Sequence, residues 1–179
     1  MTVLRCPTAA ELVSDMERAI EGDACVHPGT WVALVTELVQ SNLAQWELED
    51  GTRDPSASDK MVANAKRGID RLNIGRHRLV AQIDALIADG LEQSADAPLA
   101  TESPGMVMDR LSVLIIRRIR TKSATASRSD VSERLPELEA RIDALTSAFD
   151  SYVEELQTGT RRFIPYEHFK LYQFGAADD

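Results

Sequence analysis

From Leu135 to Leu156 the residues Leu135, Leu138, Ile142, Leu145, Phe149, Tyr152 and Leu156 return at alternating three- and four-residue steps. Only a helix places such positions on one face, because an α-helix repeats about every 3.6 residues and a strand every two. The same spacing recurs along the chain. Val32, Val35, Val39, Leu43 and Trp46 form a ladder that begins at Thr30. Val62, Ala65, Ile69, Leu72, Leu79, Ile83 and Leu86 form another over about 57–89. A shorter ladder of Leu12, Val13, Met16 and Ile20 fills about 9–21, and MVMDRLSVLIIRRIRT is apolar on most sides, which predicts a central element. No stretch alternates as a strand does. The expectation is an all-α fold: an antiparallel bundle of about five helices with two long framing helices, in a single domain over 1–179. A lone coiled coil is disfavoured, since the other helices also have wide apolar faces to bury.

Local signals place the helix ends. Thr8 with Glu11, and Asp130 with Glu133, read as capping boxes, while Gly22 and Gly159 read as stops. In ESPG, Ser103 can cap and Pro104 suits the first helical position, where its missing N–H is no loss. Gly68 and Gly75 cost the third helix up to about 1 kcal/mol each relative to Ala, so a curve or a close helix contact is expected there. Residues 90–101 read as a loop, KSATASRS as a flexible connection, and RRFIPYEHFKLYQF as an irregular aromatic C-terminal tail that packs on the bundle.

Charge narrows the function classes. A formal net charge of −9 repels polyanions, which argues against a general nucleic-acid binder and against an anionic membrane surface. Cys6 and Cys25 show neither a disulfide framework nor zinc spacing. The N-terminal stretch is too acidic and too quickly polar for a signal peptide, and no apolar run approaches a membrane span, so a cytoplasmic location is expected.

The polar residues inside the helical pattern are the candidates for chemistry. Asn42, Trp46 and Glu49 share a stripe, with Asp50 beside it. A buried carboxylate there would need a hydrogen bond, an opposite charge or a metal, unless Glu49 and Asp50 simply face solvent in a last turn. Lys66, Asp70, Asn73 and His77 form a second stripe next to the apolar ladder, with Arg76 alongside, and read either as a structural ion network or as a ligand-facing surface. Asp109, Arg110 and Ser112 interrupt an otherwise apolar helix, and Glu102 stands at its entrance. Glu49, Asp50, Glu102 and Asp109 together could supply the oxygen ligands that Mg²⁺ or Mn²⁺ prefers, with Glu49, Asp50 and Asp109 as the catalytic acids; no organic cofactor is indicated. No Glu-x-x-His pair suggests a di-iron site. In the tail, Arg161, Arg162 and Lys170 are interleaved with Phe163, Tyr166, Phe169 and Tyr172, a pattern suited to a phosphate or carboxylate joined to a ring. His168 is either a base near neutrality or a packed ring.

Four blocks, NLAQWELED, KRGIDRLNIGRHRLVAQID, TESPGMVMDRLSVL and GTRRFIPYEHFKLY, resemble in order and spacing an uncharacterised bacterial family catalogued as domain of unknown function 4254. The resemblance covers about 40–174. It rests on Asn42, Trp46, Glu49 and Asp50; on Lys66, Ile69, Asp70, Asn73 and Arg76; on Glu102, Pro104, Gly105, Asp109, Arg110, Leu111 and Ser112; and on Phe163, Phe169, Lys170 and Tyr172. It brings no activity, but the family's occurrence beside genes of surface-sugar assembly implies sugar or nucleotide metabolites. The chain departs from typical members in a shorter, less charged stretch before position 30 and in its Ala/Ser-rich connection near 121–129. All-α nucleotide pyrophosphohydrolases are similar in architecture only, since their Glu-Glu-x-x-Glu and Glu-x-x-Asp motifs are absent. IDRLNIGRHRLVAQI is also faintly similar to helical chorismate mutases.

Two functions are therefore expected. The first is an enzyme acting on a small anionic, phosphorylated or nucleotide-like metabolite. Its acids would hold a cation or act as base, Asn42, Trp46, Lys66, Asp70, Asn73, Arg76, Arg110, Arg162 and Lys170 would bind substrate, and Trp46 would form a wall. The second is a non-catalytic ligand-binding or protein-interaction module of a biosynthetic pathway. Homodimerisation is expected if one apolar face stays uncovered.

Overall fold

The computed structural model describes residues 6–24, 27, 29–125 and 133–167. Five helices follow one another: α1 Ala9–Glu21, α2 Trp31–Gly51, α3 Asp59–Asp89, α4 Pro104–Thr125 and α5 Leu135–Gln157. Among the described residues there is no strand. One isolated parallel bridge joins Leu99 to Arg162. No described helix is long and apolar enough to cross a membrane.

The caps explain the boundaries. Thr8 and Glu11 form the expected capping box, and Gly22 closes α1 in the left-handed region at φ 84°. Thr30 and Ser58 cap α2 and α3 through Ala33 N–H and Met61 N–H. Of the expected capping box before α5, Asp130 lies outside the described residues. The described helix starts at Leu135 behind Arg134, which makes no side-chain cap.

The apolar ladders meet in one core. Leu12 and Met16 of α1, Val35, Leu38 and Val39 of α2, Val80 and Ile83 of α3, Met108, Leu111 and Ile115 of α4, and Phe149 and Leu156 of α5 are buried together. Helix α4 packs on each of the other four, as its all-round apolar sequence predicts. Not all of the third ladder is buried: Val62 stands exposed, as does its neighbour Met61, so the first turns of α3 project beyond the core. Gly68 makes the expected close contact, since a Cβ there would lie 2.7 Å from Leu48 Cδ1 of α2, whereas Gly75 faces open space.

The loop and the tail brace each other beneath α4. Arg162 N–H donates to Pro98 O and Ala100 N–H to Arg162 O. Phe163 is buried and its N–H donates to Gln93 Oε1 at 2.6 Å. Further along, Tyr166 stacks on His77 of α3, with its hydroxyl 2.7 Å from His77 Nδ1.

Candidate functional site

Three charged or polar clusters lie along α4, and they differ in how far their groups satisfy one another. The first is at its N-terminus. Ser103 Oγ accepts from Met106 N–H, and Asp84 of α3, fully buried, accepts from Gly105 N–H at 2.7 Å and Tyr166 N–H at 2.8 Å. A helix N-terminus is electropositive and leaves N–H groups unpaired, so an acid can be buried there without a cation. Burial still dominates and raises the Asp84 pKa above the usual carboxylate value, against the lowering effect of its hydrogen bonds. Gly105 permits the approach: a Cβ would lie 2.7 Å from Val80 O and 2.8 Å from Asp84 Oδ1. Sequence reasoning missed Asp84, which reads as one more polar residue beside the Ile83 rung.

The second cluster joins three of the helices expected to meet. Buried Asn42 of α2 donates through Nδ2 to Asp109 Oδ1 at 2.8 Å and to Ser112 Oγ at 2.7 Å. Ser112 Oγ donates in turn to the Asp109 carbonyl. Arg76 Nη1 of α3 lies 3.8 Å from Asp109 Oδ2, and its buried Nε has no hydrogen-bond partner. Asn42, Arg76, Asp109 and Ser112 are thus brought together, and the central carboxylate is held by an amide and a guanidinium.

The other expected site residues make no hydrogen bond or ion pair with this cluster among the described residues. Glu49 is exposed and sits 3.8 Å from Arg53 in the turn that follows α2, and Asp50 is exposed beside it. Their position in the last turn of α2 sends them to solvent, where a carboxylate keeps its hydration. Lys66 and Asp70 pair with each other at 2.9 Å on the open face of α3, and Asn73 is half-buried on that helix. Glu102 pairs with Arg110 at 2.9 Å. Arg162 donates from Nε to Ala97 O, which fixes the loop. The four acids expected to surround a cation are therefore not gathered, and among the described residues no three Asp, Glu, His or Cys side chains are grouped to hold a metal ion. Lys170 and His168 lie outside the described residues.

The third cluster is open. Trp46, half-buried on α2, lines a cavity of about 490 Å³ with Arg117 and Thr121 of α4 and with Arg134, Glu137, Leu138 and Arg141 at the start of α5. Arg141 pairs with Glu137 at 2.7 Å, both side chains mostly exposed. Neither Arg117 nor Arg134 has an ion-pair partner among the described residues. The N-terminus of α5 adds its own positive end, without a side-chain cap. Three guanidinium groups thus face one carboxylate and an indole, an arrangement fit to take a flat, negatively charged molecule. Of these residues only Trp46 was expected. Arg117 is hidden in the sequence by the apolar run around it, and Arg134 and Arg141 by the ladder of α5.

A smaller cavity of about 340 Å³ lies farther along α4 and α5, with Val107, Leu145, Phe149 and Tyr152 on its floor. Its edges carry the Glu102–Arg110 pair and the Glu155–Arg161 pair, the latter at 2.8 Å. Tyr152 donates its hydroxyl to Glu102 O, and burial raises its pKa further above the usual phenol value.

The family described as "Protein of unknown function (DUF4254)" matches residues 32–164 of this chain. That span holds all three clusters except the Tyr166 arm of the first, and the chain belongs to this family. No curated protein and no solved structure matches.

Proposed function

We propose that this member of the DUF4254 family is a non-catalytic binding module for a small anionic, phosphorylated or nucleotide-like metabolite, held in the cleft between α2, α4 and α5. One observation carries the reading: Arg117, Arg134 and Arg141 converge with Trp46 on a single cavity against only Glu137. In a protein of net charge −9, three like charges around one space cost electrostatic free energy, which an anion offsets. The indole face adds a stacking surface for a base or other ring. The cavity is of the size that holds ligands of this class. The Asn42–Asp109–Ser112 network supports the non-catalytic side of the reading, because its groups are engaged in joining α2 to α4.

The test is a thermal-shift and fluorescence titration with ADP and with UDP-glucose, each with and without Mg²⁺. Saturable stabilisation is expected, since a ligand that binds only the folded state raises stability with its concentration. Trp46→Ala and Arg117→Gln are each expected to weaken ADP at least tenfold, with no product formed. Affinity indifferent to both substitutions would sink the cleft assignment. Mg²⁺-dependent turnover lost in Asp109→Asn would restore the enzyme reading.

A further inference from the structure

We propose that the cleft at Trp46 and the smaller cavity at Phe149 are the two ends of one groove, and that its ligand is a single elongated amphiphilic phosphate, with its anionic head at the arginines and an apolar tail toward Phe149. The inference rests on the anion-binding reading above and adds the shape and polarity of the ligand.

The argument starts from helical register. On α4 the cavity residues are Val107 and Arg110 at one end and Arg117 and Thr121 at the other. With half-buried Leu114 between them, they advance by three, four, three and four residues, which is one helix face. On α5, Leu138 and Arg141 line the first cavity, and Leu145, Ala148, Tyr152 and Glu155 the second. These advance by three, four, three, four and three. Two stripes on packed helices, each continuous past both cavities, make the cavities neighbours along one seam. From Val107 to Thr121 the seam runs about 21 Å, taking about 1.5 Å per residue.

Polarity then changes along the seam. At the Trp46 end three arginines face one glutamate. At the Phe149 end each arginine has its own carboxylate, Arg110 with Glu102 and Arg161 with Glu155, so that end has no net charge to attract a second anion. Its floor is apolar, built from Val107, Leu145 and Phe149, and Leu114 continues that surface between the cavities. A molecule complementary to the whole seam is charged at one end and apolar along the rest. The protein's net charge of −9 favours a monomer in solution over the same headgroup in an anionic bilayer.

The experiment titrates the full chain with butyl, hexyl and octyl phosphate below their micelle-forming concentrations, beside ADP as a probe of the head site alone. Each buried methylene raises affinity by up to about fourfold, so octyl phosphate is expected to bind at least tenfold more tightly than butyl phosphate. Leu145→Arg should flatten that series to within about threefold while leaving ADP affinity unchanged. Ala148→Glu, at an exposed position that folding tolerates, should do the same. Arg117→Gln should weaken all three alkyl phosphates by a similar factor.

An octyl phosphate that binds no better than butyl phosphate while ADP still binds overturns the inference and leaves the anion cleft standing. So does a chain-length gain that survives both tail-end substitutions, or octyl binding that ignores Arg117→Gln. Capture on dialkyl phosphate vesicles without binding of monomeric octyl phosphate also overturns it. If neither ADP nor any alkyl phosphate binds, the anion cleft itself falls, and the inference with it.

Discussion

At the first turn of α4 a carboxylate lies wholly inside the protein, while near its last turns guanidinium groups face open space. Asp84 is satisfied by two backbone N–H groups, held in place by the loop, the tail and Gly105. Arg117 and Arg134 have no such partners among the described residues and line a cleft beside Trp46. Both regions gather charge from several helices beside α4. The difference teaches that charge in a helical pattern does not identify a site; what identifies it is whether the neighbours already supply its hydrogen bonds and counter-charge.

The most severe way to test the closed end is Gly105→Ala. A methyl group there meets Val80 O, a backbone atom that cannot turn aside, so a loss of about 3 kcal/mol is expected. That corresponds to a fall in Tm of roughly 6–12 °C, measurable by circular dichroism. A tolerated alanine would mean that the junction is looser than its geometry.

Asp84→Asn, measured by urea unfolding, should cost about 2–3 kcal/mol, since the amide cannot accept at both ends of the side chain. Its pH dependence has a definite sign. The Asp84 pKa is raised on folding from an ordinary value of 3.8. The native state therefore holds its proton more tightly, and the wild-type protein loses this contribution as pH rises from the unfolded value through the folded one. The asparagine variant has no such loss, so its deficit should be larger near pH 4 than at pH 7. A deficit that grows toward neutrality would assign Asp84 a stabilising charged role instead.

Asn42→Ala sharpens the comparison midway along α4. It leaves Asp109 and Ser112 without their amide donor, at an expected cost of about 1–2 kcal/mol by chemical denaturation. The smallest effect on folding is expected in the open cleft. Arg117→Gln should change stability by no more than about 0.5 kcal/mol, because no ion pair is lost. If it destabilises as Asn42→Ala does, Arg117 belongs to the frame and the contrast between the two ends collapses.

Much of the frame is legible in the sequence because period and caps are local. Thr8 with Glu11, Thr30, Ser103 with Pro104, and Gly159 all act within a turn or two of themselves, and the four ladders show which faces are buried. Candidate-site residues are less readable. Asn42, Asp109 and Arg76 meet as their places in the pattern suggest, yet Glu49 sits seven residues after Asn42 and points to solvent, because α2 has by then run past the core. Trp46 was expected as a wall, but the arginines it faces come from segments whose sequence reads as ordinary packing.

From its sequence alone the chain is an all-α bundle around a central α4, since helical period and capping depend only on neighbours along the chain. Which charges are closed off and which are left open was decided in three dimensions. Asp84 and Tyr166, or Trp46 and Arg134, lie far apart in the chain, and only packing of the helices brings them to one place. Burial and counter-charge are properties of that packing, and no residue carries them in its own spacing.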